Sequence, residues 1–187
     1  MSESSTLERG RQSEQRTDTS SLAAPPFDAR DYRKALGRFP TGVAVMTALD
    51  IHGERIGMTV NSFVSVSLTP PIILWCIARS TPSYLAFSRA SYFAVNVLAH
   101  DQQLVSNRFA RASEDKFGGI DWTRGLDGVP LISGCAAQLE CSLRERHVVG
   151  DHDIIFGNVE RYTYTEEAPL AYALSGYQKV VEIANNG

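Results

Sequence analysis

The sequence predicts a mainly β protein, an antiparallel barrel with peripheral helices. Six or seven stretches of strand length are separated mostly by short turns, and about three helical patterns are interspersed among them. A parallel sheet would require regular alternation of strands and helices, which the chain lacks at two predicted hairpins.

The two predicted hairpins are the most regular parts of the sequence. "VAVMTAL" is rich in β-branched residues, "DIHGER" supplies a turn, and the segment of residues 57–71 follows as the next strand. Later, "AQLECSLRERHVV" alternates, with Leu139, Cys141 and Leu143 on one face. "GDHD" then turns the chain, and "IIFGNVERYTY" returns as the partner strand.

Two other apolar stretches predict strands, and three segments predict helices. "PIILWCIA" is apolar throughout, which is typical of a central strand buried on both faces, and "YFAVNVLA" predicts a further strand. The helices are "FDARDYRKALGRF", capped by Asp28, "RSTPSYLAFSRA", with Pro82 at its first position, and "HDQQLVSNRFARA", capped by Asp101. Val105 and Phe109 share one face of the last helix, and the glycine-rich "EDKFGGIDWTRGLDGVPLISG" predicts a loop.

Composition predicts one domain over residues 27–187 behind a disordered tail of residues 1–26, which is polar, mixed in charge and free of aromatic residues. The net charge of -3 gives no electrostatic reason to expect nucleic acid or a membrane as partner. No apolar run is long enough to span a bilayer, and the N-terminus lacks the apolar core of a signal peptide. Cys135 and Cys141 are expected on one strand, ~20 Å apart and too far to bridge, which predicts a reduced, cytoplasmic protein.

Several motifs that would assign a function are missing from the sequence. It contains no G-x-G-x-x-G after a strand, no P-loop, no H-E-x-x-H, no G-x-S-x-G and no paired C-x-x-C. "HVVGDHD" brings together His147, Asp151, His152 and Asp153, which can bind metal. Because this group straddles a Gly-Asp turn, where aspartates are expected for turn chemistry alone, we predict no metal site.

The segment "GMTVNSFVSVSLTPP" is the strongest candidate for a binding surface. No charged residue occurs at all between residues 56 and 78, which is unusual for a strand face turned to water. Its apolar positions are predicted to face the core, and they are Met58, Val60, Val64, Val66 and Leu68. The alternate positions offer uncharged hydroxyls and one amide, from Thr59, Asn61, Ser65 and Ser67, while Ser62 and Phe63 swap the pattern as a bulge would. Such a face suits a neutral polar ring system or a subunit interface, and spacing alone leaves both open.

Two short segments add weaker signals. Arg79, Ser80 and Thr81 precede a predicted helix, whose N-terminal N–H groups bind phosphate, although simple capping explains the same residues. The turn formed by Pro40, Thr41 and Gly42 either lays backbone against a ligand or merely turns the chain.

Five fragments in this order resemble the short-chain flavin reductases of two-component monooxygenase systems. They are "FPTGVAVMT", "GMTVNSFVSVSLTPP", "FAVNVLA…Q…VSNRFA", "KFGGIDW" and "GDHDIIFGNV", and the match runs over about residues 27–180. The resemblance implies an antiparallel Greek-key FMN-binding split β-barrel, a homodimer with flavin near the subunit interface. It also implies that NADH or NADPH reduces FMN or FAD, and that reduced flavin passes to a separate flavin-dependent monooxygenase acting on an aromatic or related small organic substrate.

The resemblance also assigns roles to individual residues. His152 would position the nicotinamide by hydrogen bonding or stacking, with no obligatory proton transfer. The cofactor-binding positions would be Pro40, Thr41, Gly42, Thr59, Val60, Asn61, Ser62, Ser65, Ser67, Ser80, Thr81, Ser106, Phe109 and Tyr177. The C-terminal "PLAYALSGYQ" lacks the arginine that the family often carries before its Gly-Tyr pair, so the choice of NADH or NADPH stays open. The choice of FMN or FAD stays open because both contain the isoalloxazine, ribityl chain and first phosphate that these motifs address. A non-catalytic flavin carrier and a split-barrel flavin oxidase are the alternatives.

Overall fold

The computed structural model describes residues 27–113 and 115–183, and the mainly β prediction is confirmed in this part of the chain. The predicted tail of residues 1–26 lies outside the described residues. A seven-stranded sheet forms the body of the fold, and its strands are β2 Ala44–Leu49, β3 Arg55–Val60, β4 Val64–Leu68, β5 Pro71–Ala78, β6 Tyr92–Val97, β9 Ala137–Val149 and β10 His152–Tyr164. The spatial order is β3-β2-β6-β9-β10-β5-β4, and every neighbouring pair in it is antiparallel.

Both predicted hairpins are confirmed. β2 pairs with β3, and the long strands β9 and β10 pair along nearly their whole length around the turn at Gly150. The alternation in β9 holds as well, because Cys141 is fully buried and Leu143 packs against the same core cluster. Cys135 lies just before β9, so the expectation that it shares a strand with Cys141 was wrong, although both cysteines and Cys76 are free thiols.

Two smaller sheets complete the β structure. One contains β1 Thr41–Gly42, β11 Leu170–Ala173 and β12 Gly176–Lys179, and the other contains β7 Trp122–Arg124 and β8 Pro130–Ile132. The second sheet and a short 3-10 helix, Leu126–Gly128, lie in the segment predicted to be a loop. Asn96 explains the difference: its buried amide donates to the Val45 carbonyl and accepts from the Ile132 N–H at 2.8 Å, which fixes β8 against the main sheet.

The candidate segment of residues 57–71 is not one bulged strand. It forms β3 at one edge of the sheet and β4 at the opposite edge, and residues 61–63 connect the two. Ser62 fixes this connection, because its hydroxyl oxygen accepts from the Cys76 N–H at 3.0 Å and lies 3.2 Å from the Cys76 carbonyl. The two edges of the sheet are therefore separated by only three residues of chain.

The core prediction fails for most of this segment. Val60 is buried, but Val64, Val66 and Leu68 on β4 are 52%, 47% and 90% exposed. β5 also differs from the prediction of a strand buried on both faces. Its residues Ile73, Trp75 and Ile77 are buried in the core, whereas the alternate residues are only partly buried, since β5 has just the edge strand β4 beyond it.

The helices are α1 Ala29–Leu36, α2 Tyr84–Arg89 and α3 Gln103–Phe109. Asp28 caps α1 as predicted, accepting from the Arg30 N–H at 2.7 Å, but α1 buries none of its residues. α2 begins at Tyr84 rather than at Pro82, and Gln102 rather than Asp101 is the N-cap of α3. Phe109 is buried and Val105 packs in the same cluster, as predicted. In the described part of the chain, none of these helices has the length and apolar character that crossing a membrane requires.

Candidate functional site

Two neighbouring cavities lie on either side of Thr59, and they differ in charge. The cationic cavity has a volume of about 530 Å³, and its charged lining residues are Arg55, Arg111 and Lys116. No carboxylate occurs among the described residues that line it. The neutral cavity, about 490 Å³, has no charged side chain among its described lining residues, which include Asn61, Tyr172 and Tyr177. Thr59 and Ala110 line both cavities, so the two form adjoining halves of one groove.

The wall between the cavities is held by hydrogen bonds among β3, α3 and β12. The Thr59 hydroxyl donates to the Ser106 carbonyl oxygen at 2.7 Å. The Tyr177 hydroxyl lies 2.9 Å from both Ser106 Oγ and Asn107 Oδ1. Since Ser106 is 1% exposed, its main role is to join these elements, and it presents little surface to a ligand.

Gly57 allows the cationic cavity to form over the Phe109 ring. A Cβ atom at Gly57 would lie 2.6 Å from Phe109 Cε1, closer than carbon atoms approach. Phe109 itself is 1% exposed and packs edge-to-face on Phe117 at 5.0 Å between ring centroids. The Phe109 side chain therefore supports the cavity floor from below.

Lys116 brings a positive charge to the same floor. Its ammonium group donates to the Gly57 carbonyl at 3.0 Å and to the Phe109 carbonyl at 3.1 Å. An ammonium has three donors, so one remains for a ligand. Burial lowers the pKa of Lys116, which means that an anion in the cavity would gain a partly desolvated partner.

Arg55 is a second cation that lines the cationic cavity. Its guanidinium carbon lies 4.8 Å from the ring centre of Trp122 and 5.5 Å from that of Phe117. Stacking on aromatic rings orients a guanidinium without consuming its hydrogen-bond donors. Thr81, Ser83 and Ser113 add hydroxyl groups to this cavity. The combination of cations and hydroxyls suits a phosphate group.

His152 lies at the start of β10, beside the strand that leads into the cationic cavity. It pairs with Ala78, the last residue of β5, and the Ala78 carbonyl accepts from the Thr81 N–H at 3.0 Å. The His152 side chain is 46% exposed, and its Nδ1 lies 2.7 Å from Asp151 Oδ1. This hydrogen bond lowers the pKa of Asp151 and orients the imidazole ring.

Comparison with known proteins identifies the family. The model of the flavin reductase like domain matches residues 36–180. The chain belongs to the flavin reductase-like family. The resemblance of its five sequence fragments is thereby confirmed.

Individual relatives agree with this family assignment. The chain is 47% identical to a "Probable flavin reductase" of Rhizobium meliloti over 83% of its own length, and it spans only 50% of that relative. It is 40% identical to the "Flavin-dependent monooxygenase, reductase subunit HsaB" of Rhodococcus jostii, covering 86% of this chain and 83% of the relative. Among solved structures, the Streptomyces globisporus NADH:FAD oxidoreductase SgcE6, in complex with NAD and FAD fragments, has a TM-score of 0.80 at 35% identity, covering 84% of this chain and 96% of that one.

The structure brings about half of the predicted flavin contacts of this flavin reductase-like chain to the groove. Thr59, Val60, Asn61, Thr81, Ser106, Phe109 and Tyr177 line one or both cavities. Thr41 lies behind the neutral cavity, where its hydroxyl is 3.4 Å from the Tyr172 carbonyl. The remaining positions line neither cavity: Pro40, Gly42, Ser62, Ser65, Ser67 and Ser80.

Sequence reasoning missed the cations of the site. Arg55 begins β3 directly after a turn, and the loop segments contain Arg111 and Lys116. Charged side chains at such positions are ordinarily solvated. The available signal for Lys116 was the adjacent Phe117, an aromatic residue in a loop that packs into the core. Among the described residues, no group of three or more His, Cys, Asp or Glu side chains is arranged to hold a metal ion.

Proposed function

We propose that this chain is an NAD(P)H:flavin oxidoreductase that binds FMN or FAD in the groove around Thr59 and supplies reduced flavin to a separate flavin-dependent monooxygenase. The proposal rests on the division of the groove into a neutral half and a cationic half. An isoalloxazine ring is neutral and polar, whereas the ribityl chain of FMN or FAD ends in phosphate, and each part matches one half of the groove.

The residues of the groove fit a flavin in their chemistry. In the cationic cavity, Lys116 and Arg111 would pair with the phosphate, with hydroxyl donors from Thr81 and Ser83. In the neutral cavity, the exposed Asn61 amide would bond the polar edge of the ring, beside the aromatic rings of Tyr172 and Tyr177.

A bound flavin supplies the acceptor for the hydride that NADH or NADPH donates. The protein then has to hold two rings at hydride-transfer distance, a task that requires no paired acid and base. We assign to His152 the positioning of the nicotinamide, because it lies beside the strand end that reaches Thr81.

The same proposal includes the finer features that the resemblance implies. The short connection between the two sheet edges supports an antiparallel Greek-key split barrel as the fold of residues 27–187. The exposed apolar residues Val64, Val66 and Leu68 support a homodimer that covers β4. It stays a prediction that the recipient is a monooxygenase acting on an aromatic or related small organic substrate. A cytoplasmic location also stays a prediction, and the three free cysteines support it.

Steady-state oxidation of NADH and of NADPH, with FMN, FAD and riboflavin in turn, tests the activity. We expect oxidation that depends on added flavin, with a lower KM for FMN or FAD than for riboflavin, which lacks the phosphate. Flavin binding without NAD(P)H consumption would instead identify a carrier, and flavin retained through extensive dialysis would identify an oxidase. Sedimentation of the chain and of Leu68→Lys tests the dimer, which the charged variant should dissociate.

A further inference from the structure

A charged side chain with no role in the proposed chemistry contacts both ends of a segment that lines the cationic cavity. Asp153 is 5% exposed and follows His152 directly on β10. Because successive side chains of a strand point to opposite faces, His152 faces outward while Asp153 faces the core. A buried carboxylate is costly unless it is paired, so its partners show what it stabilises.

The partners of Asp153 are the two residues that flank one wall of the cationic cavity. Its Oδ2 accepts from the Tyr84 hydroxyl at 2.8 Å, and its Oδ1 lies 3.7 Å from Arg79 Nε. Residues 80–83, here called the rim loop, lie between these two partners in the sequence. Thr81, Pro82 and Ser83 of the rim loop line the cavity.

The backbone adds a further contact between the rim loop and the start of β10. The Arg79 N–H donates to the Asp151 carbonyl at 3.0 Å, and the Tyr84 N–H donates to the Thr81 carbonyl at 2.9 Å. The Arg79 end of the rim loop is therefore joined by the backbone to the turn before His152, the Tyr84–Thr81 bond closes the loop on itself, and the Tyr84 hydroxyl connects its other end to Asp153 on β10.

The helix that follows the rim loop is held from its other end by Arg146. Arg146 Nη2 donates to the Phe87 and Ala90 carbonyls, at 3.3 and 3.1 Å, where α2 ends. Burial lowers the pKa of Arg146, and the negative charge of the nearby Asp153 carboxylate opposes that shift. Asp153 thus contacts Tyr84 and Arg79 on either side of the rim loop, and its charge acts on Arg146, which holds the end of α2.

We propose that Asp153 is a positioning residue that holds the rim loop against the phosphate-binding half of the flavin groove, and that it connects this loop to His152. The identity of the ligand in this inference rests on the proposed function. The effect of Asp153 on the rim loop does not depend on it. Loss of the carboxylate charge frees Arg79 and loosens the rim loop. Flavin affinity then falls, while the reaction at saturating flavin is little changed.

Hydrogen–deuterium exchange without flavin tests the structural content directly. In Asp153→Asn, we expect the amides of residues 80–84 to exchange about tenfold faster, with peptides from β2 and β6 unchanged. Tyr84→Phe removes only one hydroxyl and should give a smaller increase, of about threefold, while keeping the fold. Unchanged exchange in residues 80–84 in both variants would overturn the inference, whether or not flavin binds.

Flavin titration then separates positioning from a general loss of stability. We expect the Kd for FMN to rise about tenfold in Asp153→Asn and about threefold in Tyr84→Phe, with kcat at saturating FMN changed less than about twofold. Glu140→Gln is the matched control, since the carboxylate of Glu140 on β9 accepts from the Leu126 N–H of the short 3-10 helix, and Glu140 lines neither cavity. It should lower thermal stability without changing the Kd for FMN.

The outcomes distinguish this inference from the proposed function. If the unaltered protein binds no flavin, the proposed function fails, and the exchange data alone decide the role of Asp153. If the unaltered protein binds FMN and both variants bind it equally well, the positioning role is wrong. If Glu140→Gln weakens FMN binding as much as Asp153→Asn does, the effect is general destabilisation and the inference is also wrong.

Discussion

Thr59 and Ser106 connect the two walls of the groove: the Thr59 hydroxyl on β3 donates to the Ser106 carbonyl oxygen on α3 at 2.7 Å. The same carbonyl accepts from the Ala110 N–H at 3.0 Å, within the helix. Because Thr59 lines both cavities, this hydrogen bond fixes the distance between α3 and the strand where the cavities meet.

Thr59→Val should weaken both the fold and flavin binding. The change keeps the side-chain shape and removes one hydrogen bond, and the Ser106 carbonyl keeps its helical partner. We therefore expect a loss of about 0.5–1.5 kcal/mol in the free energy of unfolding, measured by urea denaturation. The Kd for FMN should rise by roughly threefold. Thr163→Val, at an exposed strand position, is the control, and equal effects of the two changes would contradict the assignment.

Lys116→Met should weaken the binding of FMN but not that of riboflavin. Methionine retains the length of the side chain and loses the charge that faces the cationic cavity. Because the variant loses a hydrogen bond between two charged groups, we expect a rise of about tenfold in the Kd for FMN, measured by quenching of flavin fluorescence. Lys34→Met, at a side chain that is 71% exposed, should change neither affinity. A parallel loss of FMN and riboflavin binding would show that Lys116 acts only on the fold.

His152→Ala should raise the KM for NADH more than it raises the Kd for FMN. The imidazole lies beside the strand end that leads to Thr81, outside the cavities assigned to flavin. We expect an increase of about fivefold in the KM for NADH, corresponding to loss of one hydrogen bond or stacking contact. His147→Ala is a matched change on the same hairpin, since His147 is 56% exposed and pairs with Glu145 at 3.2 Å. An unchanged KM in His152→Ala would exclude the assigned role.

The buried thiols predict a loss of stability at alkaline pH. Burial raises the pKa of Cys135 and of Cys141 to about 12, from 9.0 in the unfolded chain. Below pH 9 both states hold these protons, so stability is unaffected. Between pH 9 and 12 the unfolded state releases them and the folded state does not, so stability falls as pH rises, by up to ~1.4 kcal/mol per pH unit for each thiol.

Comparing variants isolates the contribution of these thiols. The double variant Cys135→Ala and Cys141→Ala should lose this part of the pH slope in urea denaturation measured from pH 8.5 to 10.5, whereas lysine and tyrosine titration is common to both proteins. Cys76→Ala, at a half-buried thiol, should change the slope less. The prediction fails if the double variant and the unaltered chain show the same slope.

The local part of the fold could be predicted from sequence, whereas its long-range part could not. The β9–β10 hairpin was predictable because alternation over a long segment and a Gly-Asp turn both act between neighbours in the chain. Alternation in β4 indicates that two faces differ, but not that anything in the same chain covers one of them. The pattern therefore predicts a core position for Val64, Val66 and Leu68, whereas the core does not reach them.

The residues that line the candidate groove were predictable for the same kind of reason, and only in part. Thr59 and Asn61 could be identified because an uncharged polar strand face is unusual in itself. Lys116 reaches Gly57 across 59 positions of sequence, a contact that no local pattern encodes. Asp153 was interpreted as a turn residue, because the two isoleucines after it conceal which face of β10 is buried.

The connection of residues 61–63 has a consequence for how the chain folds. The hairpin of β2 with β3 and the hairpin of β4 with β5 are consecutive in sequence, yet β6, β9 and β10 lie between them in the sheet. Each hairpin can form early from local contacts, and β2 can then pair with β6, but β5 does not reach its neighbour β10, and the sheet is not complete, until residues 137–164 have been synthesised and inserted. We expect ribosome-bound chains that end before residue 137 to remain sensitive to protease, and flavin to be captured only at the last step of folding. Flavin binding would therefore report that folding is complete, because a chain that has not finished folding lacks the groove that holds the cofactor.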